Sequence, residues 1–192
     1  MPSIAVYCAS STKIHPEFVQ AAQELGAELA HRGLGLINGA GNMGLMAASS
    51  NACLAAGGMV TGVIPTFMIE QGWHHQGLTQ LIETSSMHER KQTMAELSDG
   101  CIALPGGCGT LEELMEVITW KQLGLYLKPI IILNTRSYYD PLLAQLQRGI
   151  DEHFMGPRHA DIWRVASTPQ EAVELVLTTP LWDKNVRKFA AI

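Results

Sequence analysis

Cys101-Ile102-Ala103-Leu104-Pro105-Gly106-Gly107-Cys108-Gly109-Thr110-Leu111-Glu112-Glu113 runs an apolar segment into a glycine-rich bend and then into a helix-forming segment. Residues 101–104 read as a strand buried on both faces. The glycines accept φ > 0 and leave amide N–H groups uncovered. Thr110 opens a helix over 111–123, whose start adds unpaired donors and a partial positive charge. Together these features predict an anion cradle of phosphate size. No lysine follows the glycines, so the loop is not G-x-x-x-x-G-K-[ST] and triphosphate hydrolysis is not expected.

The same strand-then-helix unit recurs on both sides of this stretch. Ile4-Ala5-Val6-Tyr7-Cys8 is a buried strand, and Phe18, Ala22, Leu25 and Leu29 follow at helical spacing until His31-Arg32-Gly33 closes the helix. A strand at 34–38, an alanine-rich helix near 44–56 stopped by Gly57-Gly58, and a strand at 59–64 come next. A looser stretch, 66–79, precedes a strand at 80–84 and a helix at 87–98. Beyond the opening stretch lie a strand at 130–133, a helix at 140–154, a short strand at 163–166 and a helix at 169–177. Strict alternation predicts an α/β domain, doubly wound, with a mostly parallel sheet covered by helices on both faces. Ligands of such sheets bind beyond the carboxyl ends of strands. Residues 1–180 are expected to form one domain and 181–192 a tail or partner-covering arm.

Composition narrows the function classes. With 192 residues, 47% hydrophobic and 16% charged, the chain can bury a full core without a metal or disulfide staple. A net charge of −5 argues against a nucleic-acid or anionic-membrane binder. Cys8, Cys53, Cys101 and Cys108 form no C-x-x-C pair, and no segment approaches a membrane span, so a cytoplasmic protein is expected. His74-His75 lacks a third ligand at a usual spacing, so no metal site is expected.

Two further loops bear on chemistry. Gly39-Ala40-Gly41-Asn42-Met43-Gly44 fits G-x-G-x-x-G, but it follows the second strand, and no Asp or Glu occurs between Glu28 and Glu70. The carboxylate that would hold a dinucleotide ribose is missing. Gly41 and Gly44 therefore read as phosphate or ribose contacts, against the plainer reading of a tight strand–helix turn. In Ser86-Met87-His88-Glu89-Arg90-Lys91-Gln92-Thr93-Met94, Ser86 and Glu89 have capping-box spacing, which places Arg90 and Lys91 in the opening turns of a helix. Cations there oppose the helix dipole unless an anion offsets them. The alternative is a solvated face balanced by Glu89 and Glu96. Glu113 has two readings as well, since Thr110-Leu111-Glu112-Glu113 is itself a capping box. Cys108 as a nucleophile lacks a partner base.

Pro105-Gly106-Gly107-Cys108-Gly109-Thr110-Leu111-Glu112-Glu113 matches P-G-G-x-G-T-x-x-E, and Met87-His88-Glu89-Arg90-Lys91-Gln92-Thr93-Met94 matches M-H-x-R-K-x-x-M. Together they resemble the "Lonely Guy" (LOG) family of cytokinin riboside 5′-monophosphate phosphoribohydrolases, many once labelled lysine decarboxylases. The resemblance implies a Rossmann-like homodimer that hydrolyses AMP, or an N6-modified AMP, to free base and ribose 5-phosphate without a cofactor. It implies Arg90 and Glu113 as the catalytic pair. Lys91, Gly106, Gly107, Cys108, Gly109, Thr110 and Glu112 are expected substrate contacts, along with Gly41, Gly44 and Ser10. Three departures bear on base selectivity rather than on the reaction: Ala40 interrupts the second glycine run, Ala47 replaces a common glycine, and Gly72 stands where relatives often carry a glutamate that contacts substrate.

For the chemistry, Glu113 in a first helical turn is expected to be ionised, suiting a base or an electrostatic stabiliser rather than a proton donor. Arg90 orients Glu113 or binds phosphate or ribose. Two other classes stay open: a non-catalytic nucleotide-binding protein, and a pyridoxal-phosphate decarboxylase, for which Lys91 is the only suggestive lysine. The wide apolar stripe of helix 111–123 fits either a helix-mediated dimer or a fully buried helix.

Overall fold

The computed structural model describes residues 1–183. Seven parallel strands form one sheet in the order β4-β3-β2-β1-β5-β6-β7. They are β1 (Ser3–Tyr7), β2 (Gly35–Asn38), β3 (Val60–Pro65), β4 (Gln80–Thr84), β5 (Gly100–Ala103), β6 (Ile130–Leu133) and β7 (Arg164–Ala166). The helices are α1 (Pro16–His31), α2 (Gly44–Ala55), α3 (Thr66–Glu70), α4 (Met87–Leu97), α5 (Cys108–Gln122), α6 (Asp140–Asp151) and α7 (Pro169–Thr178). Short 3₁₀ turns occupy Thr135–Ser137 and Pro157–Asp161.

Alternation within each strand divides the core. Ile4, Val6, Leu36, Ile102, Ile131 and Leu133 face one layer, where Leu25 and Leu29 of α1 and Val173 of α7 close over them. Ala5, Tyr7, Ile37, Cys101, Ala103, Ile130 and Ile132 face the other, under Met94 of α4, Leu114, Val117 and Ile118 of α5, and Leu146 of α6. Burial on both faces explains why these strands read as continuous apolar runs.

The chain winds outward from β1 to β4, then returns to place β5 on the other side of β1. The order reverses between β1 and β5, so the loops leaving these two strands diverge and open a crevice. The glycine-rich bend leaves β5 at that point.

Three elements differ from the sequence reading. Residues 66–79 contain a five-residue helix, α3, too short to show a periodic stripe. Helix α6 stops at Asp151. Helix α5 begins at Cys108, with Gly107 as its N-cap and no side-chain cap hydrogen bond. The Thr110–Glu113 capping box therefore does not form, because the glycines let the helix start two residues before the threonine. Of the stripe of α5, Leu114, Val117 and Ile118 are buried against the sheet, Leu111, Met115 and Trp120 are half-buried, and Leu123 is 45% exposed. Of the tail expected over 181–192, residues 184–192 lie outside the described residues; Trp182 donates its backbone N–H to the Leu127 carbonyl at 2.7 Å. Among the described residues no helix is long and apolar enough to cross a membrane.

Candidate active site

The bend after β5 is held from behind. The hydroxyl of Tyr139 donates to the Leu104 carbonyl at 2.6 Å, and that of Tyr138 donates to the Gly106 carbonyl at 2.7 Å. A Cβ on Gly106 would overlap the Thr110 side chain, so glycine at 106 lets Thr110 fold back against the bend. Gly107, Gly109 and Thr110 then present the start of α5, with its unpaired amides, to the crevice.

Arg90 enters from α4. Ser86 caps this helix, its hydroxyl accepting from the Glu89 N–H at 3.2 Å, while the Glu89 carboxylate reaches back to Ser85. The next residue turns inward and is only 6% exposed. Its Nε donates to the Val63 carbonyl and its Nη2 to the Gly39 carbonyl, each at 3.0 Å, and its Nη1 lies 3.6 Å from the Met87 sulfur. All three acceptors are neutral. Burial lowers the Arg90 pKa and the nearby Glu113 opposes that shift, yet a guanidinium stays charged throughout the working range. The crevice thus holds a desolvated positive charge. The solvated face weighed from sequence is ruled out by this burial.

Glu113 corrects an expectation. It lies in the second turn of α5, beyond the strongest influence of the helix dipole. Burial pushes its carboxyl up to about 7, with Arg90 pulling the other way. Near neutrality the group is present in both forms, as suits a general acid–base.

The opposite wall is built from the loop after β2. Ala40, with φ 59, is in a left-handed conformation uncommon for a residue with a Cβ. The segment after α3 folds onto this loop: Asn42 N–H donates to the Trp73 carbonyl at 3.0 Å, His75 N–H to the Ala40 carbonyl at 2.8 Å, and Gly41 bridges His74. Gly72 takes φ 72 at the end of α3. This fold-back brings Trp73 and Met68 beside Met43 and Met46 at the mouth of the crevice. These four were missed from sequence. The available signal was a tryptophan set between Gly72 and Gly77 in a segment otherwise without pattern.

The crevice has a volume of about 530 Å³, within the range of small-ligand sites. It brings together Ser10, Gly41, Arg90, Gly107, Gly109, Thr110 and Glu113 from the sequence reading. Lys91 and Glu112 are elsewhere engaged: Lys91 Nζ lies 2.8 Å from Glu112 and 3.3 Å from Glu116, joining α4 to α5. Gly106 lines a smaller hollow on the far side of the bend. Cys108 is exposed and outside the lining, and Gly44, at φ 61, sits where a Cβ would overlap the Ser10 backbone. The His75 ring bonds Asn51 at 2.8 Å and accepts from the Gly77 N–H at 3.0 Å.

Comparison with known proteins bears on this arrangement. The family model described as "Possible lysine decarboxylase" matches residues 46–176. Cytokinin riboside 5′-monophosphate phosphoribohydrolase LOG7 of Arabidopsis thaliana is 42% identical over 187 residues, covering 97% of this chain and 86% of the relative. The enzyme LOG of Oryza sativa subsp. japonica is 42% identical over 174 residues, covering 91% and 71%. Among solved structures, the molybdenum cofactor binding protein from Rippkaea orientalis aligns with a TM-score of 0.71 at 25% identity, covering 92% of this chain and 96% of that one. The molybdenum cofactor carrier protein of Chlamydomonas reinhardtii, at 22% identity and a TM-score of 0.69, shares the fold.

Proposed function

This chain belongs to the LOG family of cytokinin riboside 5′-monophosphate phosphoribohydrolases, and we propose that its crevice hydrolyses the N-glycosidic bond of AMP or an N6-substituted AMP to free base and ribose 5-phosphate. One observation carries the reading: a buried guanidinium with only neutral hydrogen-bond partners and a carboxyl raised to about 7 share one crevice with an amide-rich helix start.

The parts divide the work by chemistry. Amides of Gly107, Gly109 and Thr110, at the bend and the start of α5, take the phosphate, whose charge the helix dipole and Arg90 favour. Cleaving the bond builds positive charge on the ribose, and an ionised Glu113 beside the anomeric carbon stabilises it while drawing a proton from the attacking water. With a pKa near neutrality, Glu113 can also release that proton as the base departs. Arg90, whose hydrogen bonds go to neutral acceptors, acts on the acid and the phosphate through its charge. The base lies toward Trp73, Met43, Met46 and Met68, an indole and three thioethers suited to a flat ring and an apolar N6 substituent. Gly72 supplies no carboxylate there, so selection at that wall rests on shape and apolar contact.

The protein works in the cytoplasm as a homodimer under this proposal. Its four cysteines are free. Trp120 and Leu125, the latter 62% exposed, line a groove with Gln92 and Ala95 of α4, which a second copy would cover. A monomeric mass in light scattering at micromolar concentration would count against the dimer.

The reaction is tested by incubating the protein with AMP, N6-isopentenyl-AMP, GMP, CMP and adenosine and assaying free base and ribose 5-phosphate. Release from the adenine nucleotides, with adenosine inert, is the expected result. Tight AMP binding with no product over hours would instead make this a nucleotide-binding protein, and an internal-aldimine absorbance band would revive the decarboxylase reading.

A further inference from the structure

The bend that faces the crevice is tied, on its other side, to a turn that none of the chemistry above uses. Arg136 and Ser137 both have φ 56, two successive non-glycine residues in the left-handed region. Such a turn persists only where its surroundings hold it. Here the Asn134 side chain spans it, Oδ1 accepting from the Tyr139 N–H and Nδ2 donating to Asp140 Oδ1, both at 2.7 Å. Arg136 pairs with Glu17 of α1. The ring of Tyr138, packed edge-on against Phe18 at 5.8 Å and Tyr139 at 5.2 Å, is thereby pointed at the bend.

We infer that Tyr138 is a positioning residue for the phosphate cradle: by holding the Gly106 carbonyl behind the bend, it aims the Gly107 N–H into the crevice. The inference rests on the proposed function of that crevice. Its geometry follows from the peptide bond. In a trans peptide the N–H points opposite to the preceding carbonyl, and no peptide among the described residues is cis. The Gly106 carbonyl points to Tyr138, which lines the hollow behind the bend and not the crevice. Gly107 lines both, so its N–H is turned toward the crevice side. Glycine at 106 and 107 leaves this peptide plane free to rotate, and the phenolic hydroxyl supplies the constraint that the sequence omits. Tyr139 makes a similar bond to Leu104, but the following residue is Pro105, which has no N–H to aim. The two adjacent tyrosines thus provide a test and its control.

The experiment compares wild type, Tyr138→Phe and Tyr139→Phe by calorimetric titration with ribose 5-phosphate, by AMP kinetics and by thermal melting. Tyr138→Phe should weaken ribose 5-phosphate binding and raise KM for AMP by about five- to tenfold, with kcat nearly unchanged, since an aimed amide serves ground and transition states alike. Tyr139→Phe should lower the melting temperature and leave ribose 5-phosphate affinity as it was. Wild type that binds ribose 5-phosphate, together with a Tyr138→Phe variant that binds it equally well, overturns the positioning role alone. Wild type that neither binds ribose 5-phosphate nor hydrolyses AMP overturns both this role and the proposed function, and wild type that hydrolyses AMP with a KM unchanged in Tyr138→Phe overturns the positioning role alone. Equal losses of affinity in the two variants would make Tyr138 a structural residue and also overturn the inference.

Discussion

The guanidinium of Arg90 occupies the space that a side chain on residue 39 would need. A Cβ built on Gly39 overlaps Nη2, the same nitrogen that donates to the Gly39 carbonyl at 3.0 Å. The first glycine of the loop after β2 is therefore part of the arginine's seat. That accounts for a glycine run which lacks the carboxylate of a dinucleotide site: it makes room for a buried cation as well as for a ligand.

Replacing Gly39 by Ala should therefore displace Arg90 without altering it. We expect kcat/KM for AMP to fall by roughly 100-fold, the usual cost of moving a charged group about 1 Å from its working position. Arg90→Ala should cause a loss of the same order, and the double variant should be little worse than either single one. Fully additive losses would show that Gly39 acts apart from Arg90.

Glu113 makes stability depend on pH in an unusual direction. Its carboxyl titrates near 7 in the folded protein and at about 4.3 when unfolded. Below the lower value both states are protonated and no penalty exists. As pH rises, the unfolded chain ionises first, so folding stability is lost progressively up to the folded value. The loss is complete above pH 7 and amounts to roughly 3–4 kcal/mol, at about 1.36 kcal/mol for each pH unit between the two values. Glu113→Gln resembles the protonated acid at every pH. It should melt higher than wild type at pH 8 and match it near pH 4.5, while losing turnover. Identical melting curves at pH 8 would mean that the carboxyl is not held against ionisation.

The same group sets a pH dependence of rate. If ionised Glu113 is the working form, kcat/KM rises through a midpoint near 7 and stays level above it. The substrate phosphate has its own ionisation near 6, which adds to the acid-side rise but creates no decline on the alkaline side. A decline above pH 7 would assign the work to the protonated acid.

Much of this architecture could be read from apolar runs. Ile130–Leu133 is wholly apolar and wholly buried, and each strand of the sheet was foreseen to within a few residues. Motif spacing singled out Arg90 and Glu113, which the fold brings to one crevice. What failed were local rules overruled by neighbours. Thr110 and Glu113 had the spacing of a cap, but Gly107 took that place and moved the helix start. The dipole argument made Glu113 acidic, whereas burial beside the first strand made it a weak acid. Trp73 reaches the site through hydrogen bonds between two loops more than thirty residues apart by rough count, from the Asn42 backbone and side chain among them, which no short-range pattern encodes.

Lys91 presents the sharpest choice between substrate contact and support. Its side chain is 6% exposed and pairs with Glu112 and Glu116, so it joins the two helices that carry Arg90 and Glu113, the proposed catalytic pair. Burial lowers its pKa, but the two carboxylates outweigh that and hold it above the ordinary lysine value. Lys91→Met removes this tie. Glu112, 60% exposed, can return to water, so the expected destabilisation is about 1–2 kcal/mol rather than that of a fully buried broken pair. The variant also removes a positive charge that helps lower the Glu113 pKa, after burial and Arg90 have set most of its value. The midpoint of the pH–rate profile should consequently move upward, with KM for AMP changed less than about threefold. Glu112→Gln removes a charge that raises the Glu113 pKa and should move the midpoint the other way. A tenfold rise in KM with an unmoved midpoint and an unchanged melting temperature would instead put Lys91 in contact with the nucleotide.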